Sequence, residues 1–416
     1  MNREERMTSR ITRRAATLAG FAVGALMIAQ PALAQKKYGP GVSDTEIKIG
    51  NIMPYSGPAS AYGNIGKTEQ AYIDMVNAAG GVNGRKIKFI SYDDAYSPPK
   101  AVEQARKLVE SDEVAFIFNP LGTPSNTAIL KYMNSKKVPH LFLATGATVF
   151  GQPSVNPWTM GFQPNYQSEG RIYAKYVADK FPNAKIGILF QNDDFGKDMV
   201  KGFKDGLGAK TSLIIAEAPY EISDPTIDSQ ILKLKSAGVD LLYDATTPKF
   251  AAMTIKKLAE IGWKPTHVLG SVSASVGSVI KPAGFENAQG IVSAAYAKDA
   301  DDPKWKDDAG RKNWEAFLDK WMPGANKSDG NHVYGYNASQ TLVTVLKMCG
   351  DDLTRENILK QAQSLKKVQL EMLLPGITLD TGPNDHFPIE QMQLMKFEGE
   401  RWNTFGGIIN GEVTSK

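Results

Sequence analysis

At 416 residues, with 42% apolar and 22% charged side chains, the chain has the composition of a globular protein. It is too long for a single core, so two or three domains of roughly 150 residues each are expected. The formal charge of +4 makes no case for nucleic acid or an anionic membrane: residues 1–34 carry five Arg and two Glu, leaving about +1 for the rest, with no Lys/Arg cluster interleaved with aromatics.

The first 34 residues read as a secretory signal peptide. Five arginines from Arg3 to Arg14 precede an apolar run, Ala15–Ala29; Pro31 breaks it, and Ala32-Leu33-Ala34 supplies small residues for cleavage after Ala34. The run is too short and too rich in Ala and Gly for a membrane span. Arg13-Arg14 hints at twin-arginine export, although the residues that follow favour general secretion. A periplasmic location is therefore expected, and the single cysteine, Cys349, means a protein without an internal disulfide.

Strands and helices then alternate. Ile47–Met53 reads as a strand that breaks at Pro54, Ser56, Gly57 and Pro58 and leads to a helix over Lys67–Ala79. The connecting loop carries Tyr55 and Tyr62; the two aromatics either touch a ligand or pack on neighbouring loops. Asn83-Gly84 turns into a strand at Lys86–Tyr92, a helix follows at Lys100–Ser111, and Val114–Phe118 is a short buried strand. The next helix is expected to take Ser125 as its N-cap, and Val138–Leu143 is the fourth strand.

After a Pro/Gly-rich break at Asn156–Asn165 the alternation restarts. Helices are expected at Ser168–Phe181, Lys197–Gly208, Thr226–Ala237 and Ala251–Ile261, and strands at Lys185–Phe190, Leu213–Ala216, Val239–Tyr243 and His267–Gly270. Asn313–Trp321 and Tyr334–Lys347 read as further helices, Met392–Phe397 and Trp402–Ile409 as strands. The fold class is α/β, with parallel sheets covered on both faces.

Catalytic motifs give little. Asp194-Phe195-Gly196 lacks the phosphate loop that would make it a kinase signature, and Asp380-Thr381-Gly382 lacks the second carboxylate of an aspartic protease. The four histidines stand apart without ligand spacing, so neither a metal nor a cofactor is expected. The strand-end loops are instead rich in Ser, Thr, Gly and aromatics, as in a binding cleft beside helix N-termini.

The stretches Ile47–Gly63, Ala78–Ile87 (AAGGVNGRKI), Tyr92-Asp93-Asp94, the pattern around Asp228, Leu234-Lys235 and Asp240, and the tail Gly376–Asp385 together resemble the periplasmic solute-binding proteins of ABC transporters, in the branched-chain amino acid group. The resemblance covers almost all of the chain after the signal segment. It implies two Rossmann-like lobes joined by a three-strand hinge, the type I periplasmic binding protein fold, with 35–161 plus 291–370 in lobe 1 and 162–290 plus 371–416 in lobe 2. It also implies a monomer that is not an enzyme and hands a small carboxylate to a membrane permease. A sensor for a membrane receptor, or an exported hydrolase, is the alternative.

The resemblance carries over residue by residue. Tyr62 matches the family's first-loop aromatic; Gly122, with Thr123 beside it, takes the place of a carboxylate-binding serine; Gly146 and Thr148 match a second contact pair. Phe195 stands for a second-lobe tyrosine, Thr246 lies where another aromatic falls, and Tyr55 is a rim residue. The acid that would pair with a ligand's ammonium falls near Val272, where no carboxylate stands. A ligand without an α-amino group, an aromatic or aliphatic organic acid, is expected, unless Glu217 or Glu221 serves instead; a hydrophobic amino acid is the other possibility.

Overall fold

The computed structural model describes residues 36–411; the expected signal peptide lies outside the described residues. Two sheets organise the chain. The first contains β1 (Glu46–Met53), β2 (Lys86–Asp93), β3 (Phe116–Phe118), β4 (His140–Leu143) and β5 (Thr159–Gly161) in the order β2-β1-β3-β4-β5, all parallel. Its intervening helices are α1 (Gly63–Ala78), α2 (Pro98–Arg106) and α3 (Thr123–Ser135).

Beyond α4 (Tyr166–Lys180) lies the second sheet. Its parallel part is β6 (Ile186–Gln191), β7 (Ile214–Tyr220), β8 (Leu241–Ala245), β9 (Thr266–Leu269) and β10 (Val292–Ala295). Helices α5 (Asp194–Leu207), α6 (Asp228–Ser236) and α7 (Pro248–Glu260) connect the first four of these strands. After α8 (Ala309–Trp321), α9 (Gly330–Cys349) and α10 (Arg355–Ala362), the strands β11 (Gln391–Glu398) and β12 (Arg401–Asn410) add an antiparallel edge, giving the order β12-β11-β10-β9-β8-β6-β7.

The strand sequences suit these positions. Phe116-Ile117-Phe118 and Ile186–Gln191 are buried throughout, as strands covered by helices on both faces must be. Pro219 sits in β7, where a missing N–H is tolerated because β7 is an edge strand. That strand runs four residues beyond its expected end at Ala216. In α3 the N-cap is Gly122, with Thr123 as the first helical residue and Pro124 in the first turn. Ser125 is not the cap: its hydroxyl is drawn to Asp94, donating to Oδ2 at 2.5 Å.

The chain crosses between the lobes three times. It leaves the first sheet after Gly161, returns through Tyr296–Lys298, and crosses again before β11. The return strand pairs with Met372–Leu374: Lys298 N donates to the Met372 carbonyl at 2.9 Å, and Leu374 N to the Tyr296 carbonyl at 2.9 Å. Ile377, Leu379 and Ile389 share one apolar core with Ile47, Phe116 and the α8–α10 side chains Trp314, Leu342 and Ile358. Sheet pairing thus draws the lobe division differently from the expected 291 and 371 boundaries. Val292 pairs with Val268 and Lys396 inside the second sheet, while residues 371–389 help fill the core of the first lobe.

Candidate functional site

Each sheet reverses its winding once. β1 lies between β2 and β3, and β6 lies between β7 and β8. The carboxyl ends at such reversals leave a crevice where ligands bind in open α/β sheets. Here both crevices face one cavity of about 180 Å³. Tyr62 enters it after β1, Tyr96 after β2, Leu121, Gly122 and Thr123 after β3, and Gln163 and Tyr166 after β5. The second lobe contributes Phe195 after β6, Thr247 after β8 and Ser271–Val272 after β9, and the hinge contributes Tyr296.

The wall around Gly122 depends on unusual backbone. Ala95 and Tyr96 both have positive φ, 51° and 58°. Asp93 holds that turn by accepting from Tyr55 N at 2.9 Å, Ser56 N at 3.2 Å, Ser56 Oγ at 2.5 Å and Ala95 N at 2.9 Å. Burial acts to raise its pKa, but these donors hold the carboxyl below the usual range. Asp94 accepts from Tyr96 N at 2.9 Å. The Tyr96 ring is thereby laid over Gly122, where an added Cβ would come within 2.4 Å of ring carbon Cε2. Gly122 itself has φ +99°, so glycine is required by conformation and by space.

The remaining expected residues are placed as follows. Gly146 does not line the cavity; its carbonyl accepts from Tyr166 N at 2.8 Å, and a Cβ there would strike the Pro164 carbonyl oxygen at 2.2 Å. It lets Tyr166 approach. Thr148 N donates to Asp198 at 2.6 Å and its hydroxyl accepts from Asn165 at 3.0 Å, outside the wall. Thr246 is buried beneath the surface, its carbonyl accepting from Ser273 Oγ at 2.5 Å, and its neighbour Thr247 faces the cavity. Tyr55 points to a separate shallow groove beside α1 and β2, its hydroxyl 2.6 Å from Ser91 Oγ. Burial pushes that phenol up to about 12.

Tyr96, Tyr166, Gln163 and Tyr296 were not singled out from the sequence. A tyrosine two residues after the Asp93-Asp94 pair is the one local signal that was available for any of them. The other three lie on crossing segments that only the assembled hinge brings to the cleft.

The tyrosine part of the wall is uncharged. Burial pushes the hydroxyls of Tyr62, Tyr96, Tyr166 and Tyr296 above their ordinary range, so they act as uncharged hydrogen-bonding groups. Gln163 Nε2 donates to Tyr166 OH at 3.1 Å, and the Tyr166 ring meets Phe195 edge-on at 4.9 Å.

The helix N-termini differ. Asp193 caps α5, accepting from Gly196 N at 3.2 Å, and Asn165 caps α4. The α3 terminus behind Gly122 has no capping side chain. The α7 terminus at Thr247 is likewise without a capping side chain, so the first-turn amides of α3 and α7 are the ones suited to a ligand carboxylate.

The loop near Val272 has an acid behind it, but one already engaged. Glu169 accepts from Ser271 N at 2.7 Å, Ser271 Oγ at 2.8 Å and Tyr173 OH at 2.8 Å, and it does not line the cavity. Glu217 pairs with Lys204 at 2.8 Å and Glu221 accepts from Asn192 at 2.6 Å; neither reaches the cavity. Asp299 and Asp302 do line it, at the end away from Gly122. Asp299 accepts from Asp301 N and Trp402 N, both at 3.1 Å, and Asp302 pairs with Lys304 at 3.1 Å.

Burial lifts the carboxyls of Asp193 and Asp299 to about 6. A carboxyl raised above its unfolded value of 3.8 holds its proton longer in the folded state. These two groups therefore favour folding most below about pH 4, and that contribution is lost as pH rises through about 6. Asp193→Asn keeps an acceptor at the cap. It is expected to flatten the fall in thermal stability across that window by about 1–2 kcal/mol, read from melting curves at stepped pH.

The lobes touch across the cavity. Tyr62 OH donates to the Val272 carbonyl at 3.1 Å. Asp329, which caps α9, accepts from Ser275 Oγ at 2.9 Å on the second lobe and from Asn64 Nδ2 at 2.8 Å on α1. Gly330 N donates back to Ser275 Oγ at 3.2 Å. Ser275→Ala removes that bridge together with the acceptors for Gly330 N and Ser278 N, while Asp329 still caps α9 through Asn331 N. Affinity is expected to fall about three- to tenfold, as suits one or two hydrogen bonds of about 0.5–1.5 kcal/mol, and calorimetric titration measures it.

Two lobes, three crossings and a ligand-sized cleft at paired switch points define a type I periplasmic binding protein. Residues 46–401 match the periplasmic binding protein family, and the chain belongs to it, in its branched-chain amino acid binding protein-like group. It is 26% identical over 326 residues to Leu/Ile/Val-binding protein homolog 1 of Brucella abortus, covering 76% of this chain and 82% of that one. A branched-chain amino acid ABC transporter structure from Thermus thermophilus with bound valine shares the fold at TM-score 0.79 and 16% identity, covering 89% of this chain and 97% of that one. A solute-binding protein from R. palustris in complex with benzoate does so at TM-score 0.73 and 20% identity, covering 87% and 96%.

Proposed function

We propose that the chain is the extracytoplasmic binding component of an ABC importer, which closes on a small carboxylate and delivers it to a membrane permease. The ligand is an organic or aromatic acid lacking an α-amino group. One observation carries this reading: the cavity offers an uncapped helix N-terminus at Gly122–Thr123 and a wall of neutral tyrosines, while Glu169 of α4, behind Val272, is engaged by Ser271 and Tyr173, and the lining carboxylates Asp299 and Asp302 are engaged by backbone amides and by Lys304. A buried ammonium without a countercharge costs several kcal/mol, whereas a carboxylate finds donors here. The size agrees, since an apolar cavity of about 150 Å³ holds benzene and this one measures about 180 Å³.

The related structures contain both valine and benzoate, so the family fold accommodates either chemistry. Titration calorimetry with leucine, phenylalanine, benzoate and 4-hydroxycinnamate tests the assignment. Binding of the deaminated acids in preference to the amino acids is expected. Tight leucine binding with none for the deaminated acids contradicts it.

A further inference from the structure

The cavity does not end at the two switch points. On the second lobe its wall runs from Phe195, after β6, to Met395 on β11 and Trp402 and Thr404 on β12. In the sheet order these strands are five steps apart, which at about 4.8 Å per step is roughly 24 Å. A volume of about 180 Å³ spread along such a length describes a narrow slot.

The far part of the slot differs in character from the part beside Gly122. Val276, Met395 and Trp402 belong to one apolar cluster under the C-terminal strands. Trp402 is buried and its orientation is fixed: Nε1 donates to the Ala274 carbonyl at 2.7 Å, and N donates to Asp299 at 3.1 Å. Trp305 stands on the hinge side, with Lys304 Nζ 4.6 Å from its ring centroid. The same ammonium bonds Thr404 Oγ1 at 2.6 Å, joining the hinge segment to β12 at this end of the slot.

We infer that this arm over β10–β12 is a second compartment of the binding site, which takes the apolar tail of an elongated carboxylate. The inference rests on the proposed placement of the carboxylate at the α3 N-terminus. From there a slot of this length directs a chain past Tyr296 toward Trp402. Val276, Trp305, Met395 and Trp402 supply an aromatic and aliphatic face there, beside the polar side chains of Lys298, Asp299, Asp302 and Thr404, so the class it selects is a carboxylic acid with an unbranched alkyl or aryl-alkyl tail longer than the side chain of leucine. The acidic pair Asp299 and Asp302 plays no part in this selection, because backbone amides and Lys304 already engage it.

The test is calorimetry on the full mature protein with butanoate, octanoate and hexadecanoate. A methylene moved from water into an apolar site strengthens binding roughly fourfold, so hexadecanoate, whose extended chain is long enough to enter the arm, is expected to bind at least about thirtyfold more tightly than octanoate, whose chain stops short of it. Thr404→Trp, which fills the end of the arm from a half-buried strand position, is expected to collapse the hexadecanoate-to-octanoate ratio to within a few fold. The series on the unmodified protein stands even if that variant folds poorly. Acids that bind without any dependence on tail length overturn the second compartment and leave the carboxylate reading intact. If no acid of any length binds, the carboxylate reading fails and the compartment assignment fails with it.

Discussion

Gly122→Ala is expected to lower ligand affinity at least tenfold and to destabilise the fold by about 1–3 kcal/mol. Two independent costs meet at this residue. Its φ of +99° lies where L side chains are strained, and the added methyl would sit 2.4 Å from the Tyr96 ring. The ring cannot swing aside freely, because its backbone is held in a positive-φ turn by Asp93 and Asp94. Either the α3 N-terminus moves away from the cavity or Tyr96 is driven into it, and both spoil the carboxylate position. Adding Tyr96→Ala to Gly122→Ala relieves the clash but not the strain, so part of the lost stability should return while affinity stays low. Chemical denaturation and calorimetry of the single and double variants measure both effects. Unchanged affinity in the single variant would show that Gly122 and Tyr96 do not form the wall.

Tyr62→Ala is the second large effect, expected to weaken binding by about 1–3 kcal/mol with little change in stability. The side chain supplies two things. Its ring covers the ligand space from the first lobe, and its hydroxyl reaches the Val272 carbonyl of the second. Tyr62→Phe separates them, since it keeps the ring and removes only the cross-lobe hydrogen bond, worth about 0.5–1.5 kcal/mol. The expected order of affinity is therefore wild type, then Tyr62→Phe, then Tyr62→Ala. If Phe and Ala are equally weak, the residue acts through the lobe contact alone and the ring does not touch the ligand.

Much of the fold was readable because strand and helix periods alternate so regularly from Glu46 to Leu269. The elements that escaped were short or lacked a pattern of their own. Thr159–Gly161 and Val292–Ala295 are three and four residues long, and they become strands only because neighbouring strands offer hydrogen bonds. Helix α1 begins at Gly63, four residues ahead of the expected start, as the turn Ser60–Tyr62 feeds directly into it.

For the site, the family resemblance led to Tyr62, Gly122, Thr123 and Phe195, which the fold brings around one cavity. Thr246 missed the wall by one residue, because strand β8 ends at Ala245 and it is Thr247, the α7 N-cap, that turns toward the cleft. Gly146 and Thr148 stand just behind the wall, tied to Tyr166 and Asp198. Tyr55 follows Pro54 out of the strand and turns to the far side of α1, against Gly66, where a Cβ would lie 2.3 Å from its hydroxyl. Contacts from Tyr166, Gln163 and Tyr296 depend on three crossing segments meeting, a tertiary fact with no local sequence signature.

The central claim, that the cleft holds a carboxylate without an amino group, is tested most directly by the ligand the protein carries. Protein purified without denaturation can be unfolded and the released small molecules identified by mass spectrometry, with Tyr62→Ala as the depleted control. An organic acid lacking an α-amino group, present near one equivalent in the wild type and diminished in the variant, is the expected result. Recovery of leucine, valine or another α-amino acid at that level contradicts the claim.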